Sequence, residues 1–189
     1  MHKNFKFKAF TLAETLLSLL IISVVAGMTI PALKIHADEQ KYVNLTKKAL
    51  QEATNATAKV ELLHGDVMFL DPKKVVGYYE KVFDKVPTTM SLTWKTNSLD
   101  PNRDPINTIF KWITADGFAW VVYYDSDDGR PVMTVDVNAD SPPNILGIDQ
   151  QRFIVDHGGV VPYIPCTKYV IKHSKMPWLQ TPMADCPSI

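Results

Sequence analysis

Lys8-Ala9-Phe10-Thr11-Leu12-Ala13-Glu14 opens the stretch that sets the architecture of this 189-residue chain. It joins a basic head of nine residues, carrying Lys3, Lys6 and Lys8, to an apolar run, and a single acid stands at the junction. Residues 15–33 hold nineteen positions and no charge. At about 1.5 Å per residue, a helix of that length crosses most of a bilayer's hydrocarbon. An ionisable group at the mouth of such a helix is costly in lipid unless it is paired. Glu14 therefore marks a functional position and calls for a counter-charge.

These residues resemble the class III leader of type IV pilins and pseudopilins. That pattern is a short basic leader, a small residue before the cut, Phe after it, then Thr-Leu, and a Glu four residues beyond the Phe. Phe10, Thr11, Leu12 and Glu14 stand in register with it, and Pro31 falls where many members carry a helix proline. The likeness covers residues 1–35. It departs at Ala9, where the family usually has Gly, and at Ala13, where it often has Ile. The resemblance implies that a membrane-embedded prepilin peptidase cuts between Ala9 and Phe10 and methylates the new amine of Phe10. It also implies that Glu14 of one copy pairs with the Phe10 amine of a neighbour during assembly. The implied role is structural and not enzymatic: a pilin, minor pilin or pseudopilin of a type IV pilus-like or type II secretion filament. Its implied partners are other pilin subunits, the peptidase, an inner-membrane assembly platform and, before assembly, membrane lipid. Pilus, type II secretion and DNA uptake all fit.

Basic residues ahead of a first apolar segment hold that side in the cytoplasm, which places everything after Leu33 outside it. The expected location is the bacterial inner membrane, single-pass, and then a filament in the periplasm or on the cell surface. Whole-chain charge is zero; without Lys3, Lys6 and Lys8 there are 17 basic against 20 acidic side chains, a formal −3. No basic stripe marks a dedicated nucleic-acid surface. Cys166 and Cys186 are separated by nineteen residues in a stretch with Pro165, Pro177, Pro182 and Pro187. In an oxidising compartment such a pair reads as a disulfide, worth about 3 kcal/mol by the chain-entropy model. The other reading is two buried or reactive thiols.

Residues 34–63 contain no Pro or Gly and are rich in good helix formers. Val43, Thr46, Leu50, Ala53, Thr57 and Val60 recur at steps of three and four, a narrow stripe for one helix face. One long helix is predicted from about Phe10 to Leu63, weakened or bent at Gly27 and Pro31. His64-Gly65-Asp66 stops it. A short helix follows over 73–86, with Val76, Tyr79 and Val82 or Phe83 inward, ended by Pro87. Only a short strand near 90–94 is expected in the polar stretch that comes next. The β signal is strongest in 109–113, 118–124 and 132–137, aromatic and β-branched runs separated by Asp116-Gly117 and Asp128-Gly129, which read as an antiparallel meander. Residues 152–155 and 160–164 add a hairpin. The fold class is α+β: a long N-terminal helix, membrane-spanning in its first half, packed on a C-terminal antiparallel sheet. The domain reading is leader 1–9, membrane or filament-core helix 10–33, amphipathic helix 34–64 and globular head 65–189; the resemblance makes that architecture pilin-like.

Asp125-Ser126-Asp127-Asp128-Gly129 has acids at the wrong spacing for an EF-hand loop and no closing Glu. A better set of hard oxygen ligands is Asp136, Asn138, Asp140, Asn144 and Asp149, a candidate calcium loop, against which stands the plain reading of Asp, Asn and Pro as turn formers. No other cofactor is expected. There is no Gly-x-Ser-x-Gly elbow, phosphate-binding Gly loop or His-Glu-x-x-His, and His36, His64, His157 and His173 are scattered. Trp94, Trp112, Trp120 and Trp178 read as core or sheet-face residues. The rival to the filament is a plain signal peptide or signal anchor delivering an extracytoplasmic binding domain or enzyme. Val24-Val25-Ala26 and Ile35-His36-Ala37 each loosely fit the small-residue rule for signal peptidase.

Overall fold

The computed structural model describes residues 11–84, 110–125, 129–139, 141, 143, 145–157 and 159–179. They fall into two compact units, one ending at Asp38 and the other beginning at Glu39. Helix α1, Leu12–His64, contributes to both. In the first unit its large apolar side chains face outward: Leu12, Leu16, Leu20, Met28, Ile30 and Leu33 are each more than half exposed. It is the one helix among the described residues long and apolar enough to cross a membrane. The helix continues through Pro31. Having no N–H, that proline leaves the Gly27 carbonyl without its helical donor.

The second unit buries the other half of α1. Tyr42, Val43, Thr46, Ala49, Ala53, Ala56, Thr57 and Val60 are covered, so the predicted stripe is the packed face; Leu50 alone is only half-buried. Small Ala and Thr side chains make up most of that face, and each buried Thr hydroxyl donates to the carbonyl four residues back. Gly65, at φ 91°, ends α1 in the left-handed region that a helix stop demands. Helix α2, Pro72–Val82, starts with Asp71 as N-cap, its carboxylate accepting from Lys73 N at 2.9 Å, and Pro72 in the first turn. Val75, Val76 and Tyr79 point inward. The expected helix over 73–86 is thus too long. Phe83 already has extended backbone, φ −75° and ψ 137°, because its ring leaves the helix to pack 5.2 Å from Trp112 and 4.9 Å from Trp120, centroid to centroid.

Five strands follow: β1 Phe110–Ile113, β2 Ala119–Asp125, β3 Arg130–Asp136, β4 Gln150–Asp156 and β5 Gly159–Pro162. They pair antiparallel in chain order. Register sets Trp112 opposite Trp120, Val122 opposite Met133 and Met133 opposite Phe153, so one face of the sheet carries the large side chains of the core. The β1–β2 turn depends on Gly117, at φ 82°. α+β is therefore the fold class, with a long apolar N-terminal helix and a C-terminal antiparallel sheet.

Two expectations need correction or fall elsewhere. The strand over 160–164 stops at Pro162, and residues Pro165–His173 form a third helix, α3, which the sequence reading left out. Pro165 sits in its first turn, and Cys166, Thr167 and Val170 make its buried face. Ser174, at φ 55°, caps it and accepts from Lys47 Nζ at 2.6 Å, while Met176 N donates to Glu39 Oε1 at 2.7 Å; both bonds tie the end of α3 to α1 within the second unit. The strand expected near 90–94 lies outside the described residues.

Candidate functional site

At the start of α1, Thr11 and Glu14 form a reciprocal cap. Thr11 N and Oγ1 both donate to Glu14 Oε2, at 2.9 and 3.0 Å, and Glu14 N donates to Thr11 Oγ1 at 3.3 Å. This is the Thr-x-x-Glu capping box, in which two otherwise orphaned donors of the first turn are satisfied at once. The sequence reading assigned Glu14 to a partner on another chain and did not see this local role, although the spacing of Thr11 and Glu14 signals it. Ala9 and Phe10, the expected cleavage and methylation positions, lie outside the described residues.

Beyond the cap the segment supplies its own polar needs. Thr15 Oγ1 donates to Thr11 O at 3.0 Å, Ser18 Oγ to Glu14 O at 2.8 Å, Ser23 Oγ to Leu19 O at 2.7 Å and Thr29 Oγ1 to Val25 O at 3.0 Å. Each hydroxyl is turned back onto its own helix, as an apolar solvent requires.

Among the described residues, the other expected positions are not drawn into one site. Asp136 Oδ1 accepts from Asn138 N and Oδ2 from Gln150 Nε2, each at 3.2 Å, and Asp149 Oδ1 accepts from Ile145 N at 2.7 Å. These carboxylates brace the connection between β3 and β4. Among the described residues no three His, Cys, Asp or Glu side chains gather as metal ligands; Asp140 and Asn144 lie outside them. Cys166, buried at the start of α3, is disulfide-bonded. Its expected partner Cys186 is outside the described residues.

A further arrangement was not legible in the sequence. A cleft of about 240 Å³ in the second unit is lined by Glu52, Asn55 and Lys59 of α1, by Phe83 and Asp84 after α2, and by Thr114 and Asp116 in the β1–β2 turn. Lys48 Nζ pairs with Asp116 Oδ2 at 2.9 Å. Glu52 and Asp116 line the same cleft, and each carboxyl acts on the other. Burial, then the neighbouring Asp116, push Glu52 up to about 7. Asp116 is held below the usual carboxylate range, first by the bond from Glu52 and then by Lys48; the same pairing raises Lys48. Glu52 Oε2 is shut from solvent without a hydrogen-bond partner, a placement that a neutral acid bears far better than an anion. The buried Trp120 indole offsets a little of this rise.

Comparison with protein-family models, with curated proteins and with solved structures finds no match.

Proposed function

We propose that this chain is a structural subunit of a pilus-like or type II secretion filament, a pilin, minor pilin or pseudopilin made as a precursor. Prepilin peptidase removes residues 1–9 and methylates Phe10; the protein is a substrate of enzymes and not itself one. The apolar half of α1 holds the subunit in the inner membrane with its N-terminus cytoplasmic, and then enters the filament core. The observation that carries this reading is the first unit itself: an outward-facing apolar helix whose hydroxyls are all turned back onto it and whose only acid before Asp38 stands in the first turn, ahead of a compact α+β unit. The long helix and antiparallel sheet are the architecture that a pilin-like fold requires.

One observation favours the rival, a signal anchor for an exported domain: the capping box satisfies Glu14 within its own chain, so the carboxylate has a use without a neighbour. N-terminal sequencing with mass spectrometry of the mature protein separates the two. A chain beginning at N-methylated Phe10 supports the filament subunit. One beginning near Gly27 or Asp38, or an uncut precursor, overturns it.

A further inference from the structure

We propose that the exposed face of α3 and the turn after it dock on the anionic phospholipid headgroups of the membrane that holds α1. The inference rests on the membrane anchoring proposed above and is indifferent to filament assembly. Residues 165–179 carry Lys168, Lys172, His173 and Lys175 and no acid, in a chain whose formal charge is zero. The helix sorts them by face. Cys166, Thr167 and Val170 turn into the core, which leaves Lys168 and Lys172, one turn apart, on the outer side. All four basic residues are exposed. Among the described residues none of the three lysines is ion-paired, so the face offers its charge to a partner from outside.

Two bonds put this face at the end of the second unit where α1 enters. Lys47 Nζ donates to Ser174 Oγ at 2.6 Å and Met176 N donates to Glu39 Oε1 at 2.7 Å, so the end of α3 is fastened to the first residues that α1 gives to the unit. Only residues 34–38 lie between Glu39 and the uncharged run. Six peptide links reach about 20 Å at most, part of which the headgroup layer itself fills. On α1 the acids Asp38 and Glu39 are matched by Lys41 and Lys47, which leaves the charge of α3 uncancelled. Each lysine within about a Debye length of an anionic leaflet adds roughly fivefold to the attraction. Because α1 tethers the surface, a few such weak contacts suffice to dock it. Tyr169, half-buried with its ring 4.3 Å from that of His173, is of a residue type that settles at headgroup depth. DNA phosphates offer the same charge, but the bilayer is the partner that the chain itself brings to these lysines.

The test uses the full chain in two sets of nanodiscs, one of phosphatidylcholine alone and one with about one third phosphatidylglycerol. Acetylation of individual lysines, read by mass spectrometry, reports their cover. Lys168, Lys172 and Lys175 are expected to react roughly threefold or more slowly in the anionic discs, and the difference should close at about 1 M salt. Lys73 and Lys74, on the helix that meets the other end of α1 at His64, should react alike in both. Lys47 is the reporter left when Lys168→Gln, Lys172→Gln and Lys175→Gln are combined, and its slowing in anionic discs should vanish. Equal rates in the two lipids, the same slowing at Lys73 and Lys74, or slowing of Lys47 that survives the triple substitution overturns the proposal. Slowing by duplex DNA in neutral discs, with none from phosphatidylglycerol, gives the face to a nucleic acid and overturns it as well. A chain that does not co-elute with the discs overturns the anchoring itself, whereas co-elution with equal rates overturns the docking alone.

Discussion

Tyr79 and Thr57 offer a measurement of how α2 is fixed on α1. Their oxygens are 3.0 Å apart in a wholly buried setting, and Thr57 Oγ1 also lies 2.9 Å from the Ala53 carbonyl. Thr57 has one proton, and the carbonyl can only accept, so the Thr57 proton goes to Ala53 and Tyr79 is the donor of the second bond. Burial drives the Tyr79 hydroxyl well above the usual phenol range, so the donor stays protonated at any working pH. The two truncations are therefore unequal. Tyr79→Phe removes a donor from an oxygen that keeps its other bond, and about 0.5–1.5 kcal/mol is expected. Thr57→Val leaves the Tyr79 O–H buried with no acceptor and should cost more, about 2–3 kcal/mol. In the double variant neither orphan exists, and its loss should fall below the sum of the singles by about 1 kcal/mol or more. Urea unfolding of a fragment beginning at Lys34, followed by tryptophan emission, reads all four proteins. That fragment keeps the whole unit that opens at Glu39 and should unfold cooperatively. Additive losses, or a Tyr79→Phe loss equal to that of Thr57→Val, would refute the assigned direction of the bond.

Glu14→Gln and Glu14→Ala divide the two roles of the first-turn acid: Gln keeps the capping box but carries no charge, whereas Ala loses both. If the carboxylate is a counter-ion for a neighbour's Phe10 amine, both variants insert, are cut, and drop out of sheared filaments; normal assembly of Glu14→Gln would reduce the residue to a cap. Ala9→Leu should leave an uncut, membrane-retained precursor, and mature-sized protein on a gel would remove the peptidase assignment. Breaking the bridge expected between Cys166 and Cys186 should lower the urea stability of the second unit by about 2–4 kcal/mol, and two free thiols in exported protein would exclude the bridge. The buried Glu52 carboxyl also predicts a global pH slope. The Glu52 value is raised, so its contribution is complete below pH 4.5 and drains away as the pH climbs through about 7. The shift alone would amount to about 3 kcal/mol, which solvent screening of this half-exposed group reduces to about 1–2. Asp116, lowered, acts in the opposite sense and loses its contribution as the pH falls through its own range. Urea midpoints should therefore drop between pH 5 and pH 8 in wild type and stay level in Glu52→Gln; an equal slope in both speaks against Glu52 as its source.

The strands were legible because their signals are local. Aromatic and β-branched runs flank Asp116-Gly117, and Gly117 takes the positive φ that such a dipeptide favours. The stripe on α1 was legible for the same reason, since a 3.6-residue period is written within one element. What escaped depends on partners far away in sequence. Phe83 ends α2 early because Trp112 and Trp120 receive its ring, and nothing near Phe83 announces them. α3 hid behind Pro165 and Cys166, which read as a proline-rich bridged tail although Pro in a first turn is a helix start as well. Glu52 and Asp116 are sixty-four positions apart, and neither is unusual until the fold joins them.

The order of elements along the chain also fixes an order in time. The buried stripe of α1 is complete at Val60, but the strands that cover it continue to Val155. At about 5–20 residues per second, the helix waits roughly 5–20 s for its partners during synthesis. A stripe of Leu or Phe would be sticky over that interval, whereas most of this one is Ala, Thr and Val, apolar enough to seal a core and too weak to seize a wrong neighbour. The sheet, whose strands pair only with their sequence neighbours, can assemble as soon as it emerges. The helix made first is thus the piece that docks last.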